Sequence, residues 1–224
     1  MSKIMFVPMP VKNARNVEDA ESIMRSVTSD LKVECLGCKD NAISKEDIRM
    51  IDRHIKDAGK RSLLEIMADE AHYIDSARMA VEIGFDIVIG THYTKEVADL
   101  LEENGIGYYP FIGKLTEYPI YMVGSIQDVV DEAVYVSQQN VSGLTIPLYH
   151  FEGDAEELAR QLVRNVSKPM FIAGHVSTED QIRFLNDLGY YGFTMGTQLI
   201  DKRYVQNGSF NDNLKVVAEW VKKL

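Results

Sequence analysis

The chain has 224 residues, 46% of them hydrophobic and 26% charged, with a formal net charge of −10 at pH 7. This balance suits one globular domain over residues 1–224 with a sizeable core, and it argues against nucleic acid or an anionic membrane surface as the main partner. No apolar run approaches the length of a membrane span and no signal-peptide pattern opens the chain, so a cytoplasmic protein is expected.

In chain order, residues 3–10 predict a first strand and residues 17–31 a helix. Residues 33–38 form a second strand, and the helix that follows starts at residues 43–47 and carries Ile48, Ile51 and Ile55 on one stripe. Residues 62–68 are the third strand. Its helix runs over residues 71–83 and closes at Gly84. Residues 86–91 are the fourth strand, with Thr94 capping the next helix, and residues 107–112 are the fifth. A longer connection over residues 114–123 contains Pro119. Ser125 with Asp128 then starts a helix to residue 139, and residues 143–148 and 154–165 give the sixth strand and its helix. Residues 170–173 are the seventh strand, Thr178 with Gln181 opens a capped helix, residues 192–195 are the eighth strand, and an amphipathic helix over 211–224 ends the chain. Eight alternating strand–helix units predict an α/β fold, a single (βα)8 TIM barrel with an eight-stranded parallel sheet. No Gly-x-Gly-x-x-Gly follows the first strand, which disfavours a dinucleotide-binding fold.

The two cysteines, Cys35 and Cys38, form a Cys-x-x-Cys inside a strand. A redox pair needs its first thiol at a helix N-terminus, a structural zinc site needs a second pair, and strand alternation sends positions 35 and 38 to opposite faces. They read as small buried residues.

In a barrel of this kind the reacting groups come from the C-terminal ends of strands, and phosphate sits at the corners after the seventh and eighth. The glycine turns there offer the backbone N–H groups of Gly174, His175, Val176, Gly196 and Thr197 as an anion site that needs no basic side chain. The other strand ends supply Lys12, Lys39, Asp40, Glu65, Asp69, Thr91, His92, Lys114 and His150. Lys39 and Asp69 are the leading acid/base pair for proton transfer at a carbon next to a carbonyl, supported by His92 or His175. Glu65 shares its strand parity with Met67 and Asp69; if that face points inward it is a buried carboxylate that needs Lys39 or a histidine as partner. His150 and Thr91 are expected to touch substrate. Lys39 as a Schiff-base nucleophile would instead give an aldolase. His92, His150, His175 and Asp69 could ligate zinc, iron or manganese, but they lack any local spacing signature, so no metal and no cofactor is assigned. Helical His54 and His72 read as surface residues.

The stretch Met67-Ala68-Asp69, the helix after it, and residues 81–91 (Val-Glu-Ile-Gly-Phe-Asp-Ile-Val-Ile-Gly-Thr) resemble N-acetylmannosamine-6-phosphate 2-epimerases. So do Gly37-Cys38-Lys39-Asp40, residues 172–179 and Met195-Gly196-Thr197. The resemblance implies a phosphate-binding TIM barrel that inverts a carbon next to a carbonyl without a cofactor, with Lys39 at the place of the family's catalytic lysine. Two departures stand out. Ala173 occupies the place of the family's catalytic glutamate, and Pro8-Met9-Pro10 replaces the glutamine-bearing end of its first strand. The phosphate corners are shared with histidine-biosynthesis isomerases and keto-acid aldolases. Orotidine-phosphate decarboxylase and hexulose-phosphate synthase barrels carry an Asp-x-Lys pair on the third strand, where this chain has Glu65 and Met67.

The expected function is therefore an isomerase or epimerase acting on a phosphorylated small molecule. An aldolase, a metal-dependent epimerase and a non-catalytic sugar-phosphate sensor are the alternatives. Neither a nucleic-acid nor a membrane partner is expected, and an exposed apolar helix face would favour a homodimer.

Overall fold

The computed structural model describes residues 3–116 and 120–224, so Pro119 lies outside the described residues. Eight parallel strands alternate with helices: β1 Met5–Pro8, β2 Cys35–Lys39, β3 Arg61–Ile66, β4 Ile87–Gly90, β5 Gly107–Tyr109, β6 Leu144–Ile146, β7 Met170–Ile172 and β8 Gly192–Met195. The connecting helices are α1 Ala20–Arg25, α2 Lys45–Asp57, α3 Tyr73–Ile83, α4 Lys95–Glu103, α5 Ile126–Ser137, α6 Ala155–Asn165 and α7 Glu179–Leu188. A short turn of helix, Thr197–Ile200, follows β8, and α8 Phe210–Lys222 closes the chain. The capping pairs read from sequence at Ser125/Asp128 and Thr178/Gln181 are both formed, and Ser44/Asp47 and Ser209/Asp212 repeat the device.

The ladder runs as two four-stranded parallel sheets, in the orders β1-β8-β7-β6 and β2-β3-β4-β5, and not as one continuous eight-stranded sheet. On one side the sheets are tied together past β5. The Thr145 N–H donates to Pro110 O at 2.8 Å, and the Ile112 N–H donates to Thr145 O at 3.0 Å. On the other side, among the described residues, β1 and β2 share no ladder. The N–H groups of Met5 and Met9 point to β8, where they donate to Tyr191 O and Met195 O. Even-numbered positions therefore face β2, and there Pro8 and Pro10 have no N–H to donate. Asn16 fills the seam instead. Its side-chain oxygen accepts from Lys39 N at 3.0 Å and its amide donates to the carbonyls of Lys39 and Asn41, each at 2.7 Å. A side chain thus satisfies the edge of β2 where a strand would have done so.

Strand alternation builds two apolar layers. Ile4, Phe6, Leu36, Cys38, Leu64, Ile66, Val88 and Phe193 pack outward against the helices. Met5, Val7, Cys35, Leu63, Ile87, Ile89, Tyr109 and Phe171 point the other way and form a second cluster between the two sheets. The two cysteines fall on opposite faces as alternation requires, and burial pushes the Cys35 thiol up to about 12 and raises Cys38 as well. Tyr109, Phe171 and Tyr191 stack edge and face at the N-terminal end of the interior and plug it there. Two lysines brace that same end. Buried Lys60, one residue before β3, donates to the carbonyls of Leu31 and Val33 at 2.6 and 3.0 Å. Lys168, two residues before β7, donates to Gln139 and Val141 at 3.0 and 2.5 Å.

Two antiparallel ribbons that the sequence did not announce stand at the C-terminal end of the strands. One pairs Val11–Lys12 with Arg15–Asn16 through a tight turn in which Asn13 and Ala14 both have positive φ. The other pairs Lys114–Leu115 with Met122–Val123. Asn16→Ala removes the bonds that close the seam and leaves the Lys39 backbone groups unpaired in a buried position. A loss of about 2–4 kcal/mol in stability is expected, read as a lower urea midpoint at unchanged slope.

Candidate functional site

The site starts from the register of β2 against β3. Lys39 lies directly opposite Glu65 in that ladder, both on the inward-facing parity shared by Cys35 and Leu63. Their side chains meet at 2.7 Å with each about 7% exposed, a buried ion pair on the floor of a cavity of about 320 Å³. Asp40, next in sequence, turns outward, where it accepts from the Met67 N–H and the Ser76 hydroxyl, both at 2.8 Å. It ties the end of β3 to α3 and so holds the wall beside Glu65.

Two histidines share the cavity with this pair. His150 and His175 stack with ring centroids 4.0 Å apart, and both line the cavity. The His150 Nδ1–H donates to Ile120 O at 2.7 Å, which leaves Nε2 as an acceptor directed at Gly174. Burial, then the neighbouring His175 ring, pushes His150 below the usual imidazole range, so it is neutral at pH 7. Gly174 is held at φ +78, and a β-carbon there would run into His150 Nε2; His175 also has positive φ, at +58. These left-handed residues turn the backbone at the end of β7, and Gly174, His175, Gly196 and Thr197 line the cavity. Among the described residues no acceptor meets the N–H groups of Gly174, His175, Val176, Gly196 or Thr197. The buried Thr194 hydroxyl, on the cavity wall between the two corners, also has no protein partner among them.

The structure thus brings Lys39, Glu65, His150, His175 and the glycine corners to one cavity, and leaves other sequence candidates outside it. Asp69 lies beyond the end of β3, where the chain has turned outward into a short 3-10 turn; its side chain is 72% exposed and pairs with His72 at 2.5 Å. The carboxylate next to Lys39 is Glu65. His92 is exposed just past the end of β4 and does not line the cavity. Thr91 is buried with φ +63 and shares a 2.5 Å hydrogen bond with the Tyr108 hydroxyl, away from the cavity. Lys12 pairs with Asp201 at 2.6 Å, and Lys114 is exposed on the second ribbon. His54 is half-buried against Glu21, and His72 is exposed. Among the described residues no group of three or more His, Cys, Asp or Glu side chains is placed to hold a metal ion, so the set His92, His150, His175 and Asp69 is not assembled. Sequence reasoning missed Asn16 and Thr194. Thr194 sits on the inward parity of β8, a signal that strand alternation carried; nothing local marked Asn16.

No family model and no curated protein matches the sequence. Solved structures match closely in shape. Orotidine 5'-phosphate decarboxylase from Pyrococcus horikoshii superposes at TM-score 0.70 with 13% identity, over 98% of this chain and 100% of that one. Tryptophan synthase alpha chain from Legionella pneumophila gives TM-score 0.68 with 15% identity, over 99% and 93%. N-acetylmannosamine-6-phosphate 2-epimerase from Clostridium perfringens gives 0.65 with 14% identity, over 90% and 91%. At such identities the likeness is one of fold, the TIM-barrel class.

A buried ion pair is weak evidence for stability, because desolvation of two charges offsets their attraction. Glu65→Leu, which strands the Lys39 ammonium, should cost about 3–5 kcal/mol, whereas Lys39→Met with Glu65→Leu should return to within about 1 kcal/mol of wild type in urea unfolding. Full loss in the double variant would mean that the pair is there for the fold. His150 supplies a pH test. Its folded-state pKa lies below its unfolded one, so the unfolded chain binds the extra proton; stability is whole above the ordinary imidazole range and declines as pH falls through it. Between pH 7.5 and 5.5 the urea midpoint of wild type should therefore drop further than that of His150→Gln.

Proposed function

We propose that this protein binds a phosphorylated carbonyl compound and moves a proton at the carbon next to the carbonyl. The observation that carries this reading is the meeting, in one cavity, of the buried Lys39–Glu65 pair with two glycine corners whose amides have no acceptor among the described residues. The two four-stranded sheets act in this reading as one barrel, with the seam at β1 and β2 closed by Asn16 and by packing.

The phosphate would take the N–H groups of Gly174, His175, Val176, Gly196 and Thr197, which anchors one end of the substrate without a competing cation. The carbonyl then lies over the floor. The Glu65 carboxylate removes the proton from the adjacent carbon, and the Lys39 ammonium donates to the carbonyl oxygen as it becomes an enolate. Lys39 and Glu65 stand side by side on one wall, so both act on one face of the substrate. This suits isomerisation, in which one base returns the proton to the neighbouring carbon. Epimerisation needs a proton from the opposite face, where His150 and His175 stand. With Ala173 at the place of the epimerases' glutamate, the one-base route is the simpler use of these residues.

The Schiff-base route needs the Lys39 nitrogen at the carbonyl carbon, and in the structure that nitrogen is held by Glu65 at 2.7 Å. Both readings are separated by one set of measurements. In heavy water, with a panel of aldose and ketose phosphates and of phosphorylated ketones that carry an apolar group, NMR should show deuterium entering the carbon next to the carbonyl of at least one. Lys39→Ala and Glu65→Gln should each slow that exchange by about 10²-fold or more. Borohydride should leave no adduct on Lys39. An adduct there would establish the aldolase route, and absence of exchange with every phosphate would remove the isomerase.

A further inference from the structure

The cavity is chemically lopsided. Its polar groups come from the ends of β2, β3, β6, β7 and β8, with Asn13, Tyr121 and Gln198 added from the segments beyond them. The wall toward β5 is apolar apart from the Tyr121 hydroxyl: Phe111 just past β5, Met67 just past β3, Leu115 of the second ribbon and Ile120 before its second strand. That wall is fixed in place. Phe111 is 7% exposed, its backbone bridges to Thr145, and its N–H donates to Thr91 O at 2.7 Å; the Met67 N–H is held by Asp40. The carbonyl of Ile120 already accepts from His150 and has a filled role.

Sugar hydroxyls pressed against Phe111, Met67, Leu115 and Ile120 would lose water and find at most the Tyr121 hydroxyl as a partner, whereas an apolar group gains from the same burial. Among the described residues Lys39 is the one cationic lysine or arginine on the lining, and it is paired with Glu65. The anion corners therefore have no neighbouring positive side chain with which to hold a second phosphate. We infer that the substrate is a phosphomonoester whose far end, beyond the reacting carbon, carries an apolar aryl, acyl or branched alkyl group in place of a polyol. This rests on the phosphate reading of the two glycine corners.

Calorimetric titration of the full chain with inorganic phosphate, glucose 6-phosphate and 1-naphthyl phosphate tests it. The naphthyl ester should bind about tenfold or more tightly than inorganic phosphate, and glucose 6-phosphate no more tightly than inorganic phosphate. Phe111→Ala should bring the naphthyl ester to within about threefold of inorganic phosphate, with the affinity for inorganic phosphate itself unchanged. Because Phe111 also packs the strand end, Leu115→Asn on the half-buried ribbon provides the same comparison with less risk to folding. Tighter binding of glucose 6-phosphate than of the aryl ester, or an aryl preference that survives both substitutions, overturns the inference and leaves the anion corners standing. No binding of any of the three compounds removes the anion corners, and the inference falls with them.

Discussion

The register of β2 against β3 is the constraint on which the site depends. It sets Lys39 opposite Glu65 and turns both inward, so two charges that would each be intolerable alone in an apolar interior become a pair. A slip of either strand by one residue would send its member of the pair into the helix layer among Leu36, Cys38 and Ile66. Everything else at the mouth is arranged around that floor. Asn16 holds the backbone of Lys39, Asp40 holds the end of β3, and the glycine corners stand at the ends of β7 and β8.

Much of this was legible because it is local. A strand of alternating apolar residues, a serine or threonine three residues before a carboxylate or amide, and a glycine after a strand each act over a few residues, and the helix starts and strand positions follow from them. The parity of Glu65 was also readable, together with its need for a partner. Asp69 was the more prominent candidate because it follows the strand end, but the chain has by then turned outward into Glu70–His72, and a position counted along the sequence no longer reports a direction in space. The histidines divide in the same way. His150 and His175 follow adjacent strands and meet, while His92 follows β4 and points to solvent.

What the sequence could not disclose is long-range. The replacement of a strand ladder by an asparagine depends on the prolines at positions 8 and 10 meeting the edge of a strand some 25 residues away, which no window of sequence contains. The ribbons are too short for periodicity to mark, yet they supply Val11, Asn13, Leu115 and Ile120 to the cavity. Shape and chemistry are correspondingly decoupled here: the fold is shared with enzymes of different names at 13–15% identity, and the distinguishing groups are a handful of side chains on strand ends.

The lysines at the closed end give this arrangement a further meaning. Lys60 reaches from the foot of β3 to the segment leading into β2, and Lys168 reaches from the foot of β7 to the segment leading into β6, each to two carbonyls separated by a single residue. The first clasp joins the strands that carry Lys39 and Glu65; the second joins those that precede His150 and His175. Each fixes how far one strand is slid along its neighbour. The alignment of Lys39 with Glu65 and of His150 with His175 at the open end is thus indexed from the opposite pole of the molecule, by two lysines that lie outside the cavity.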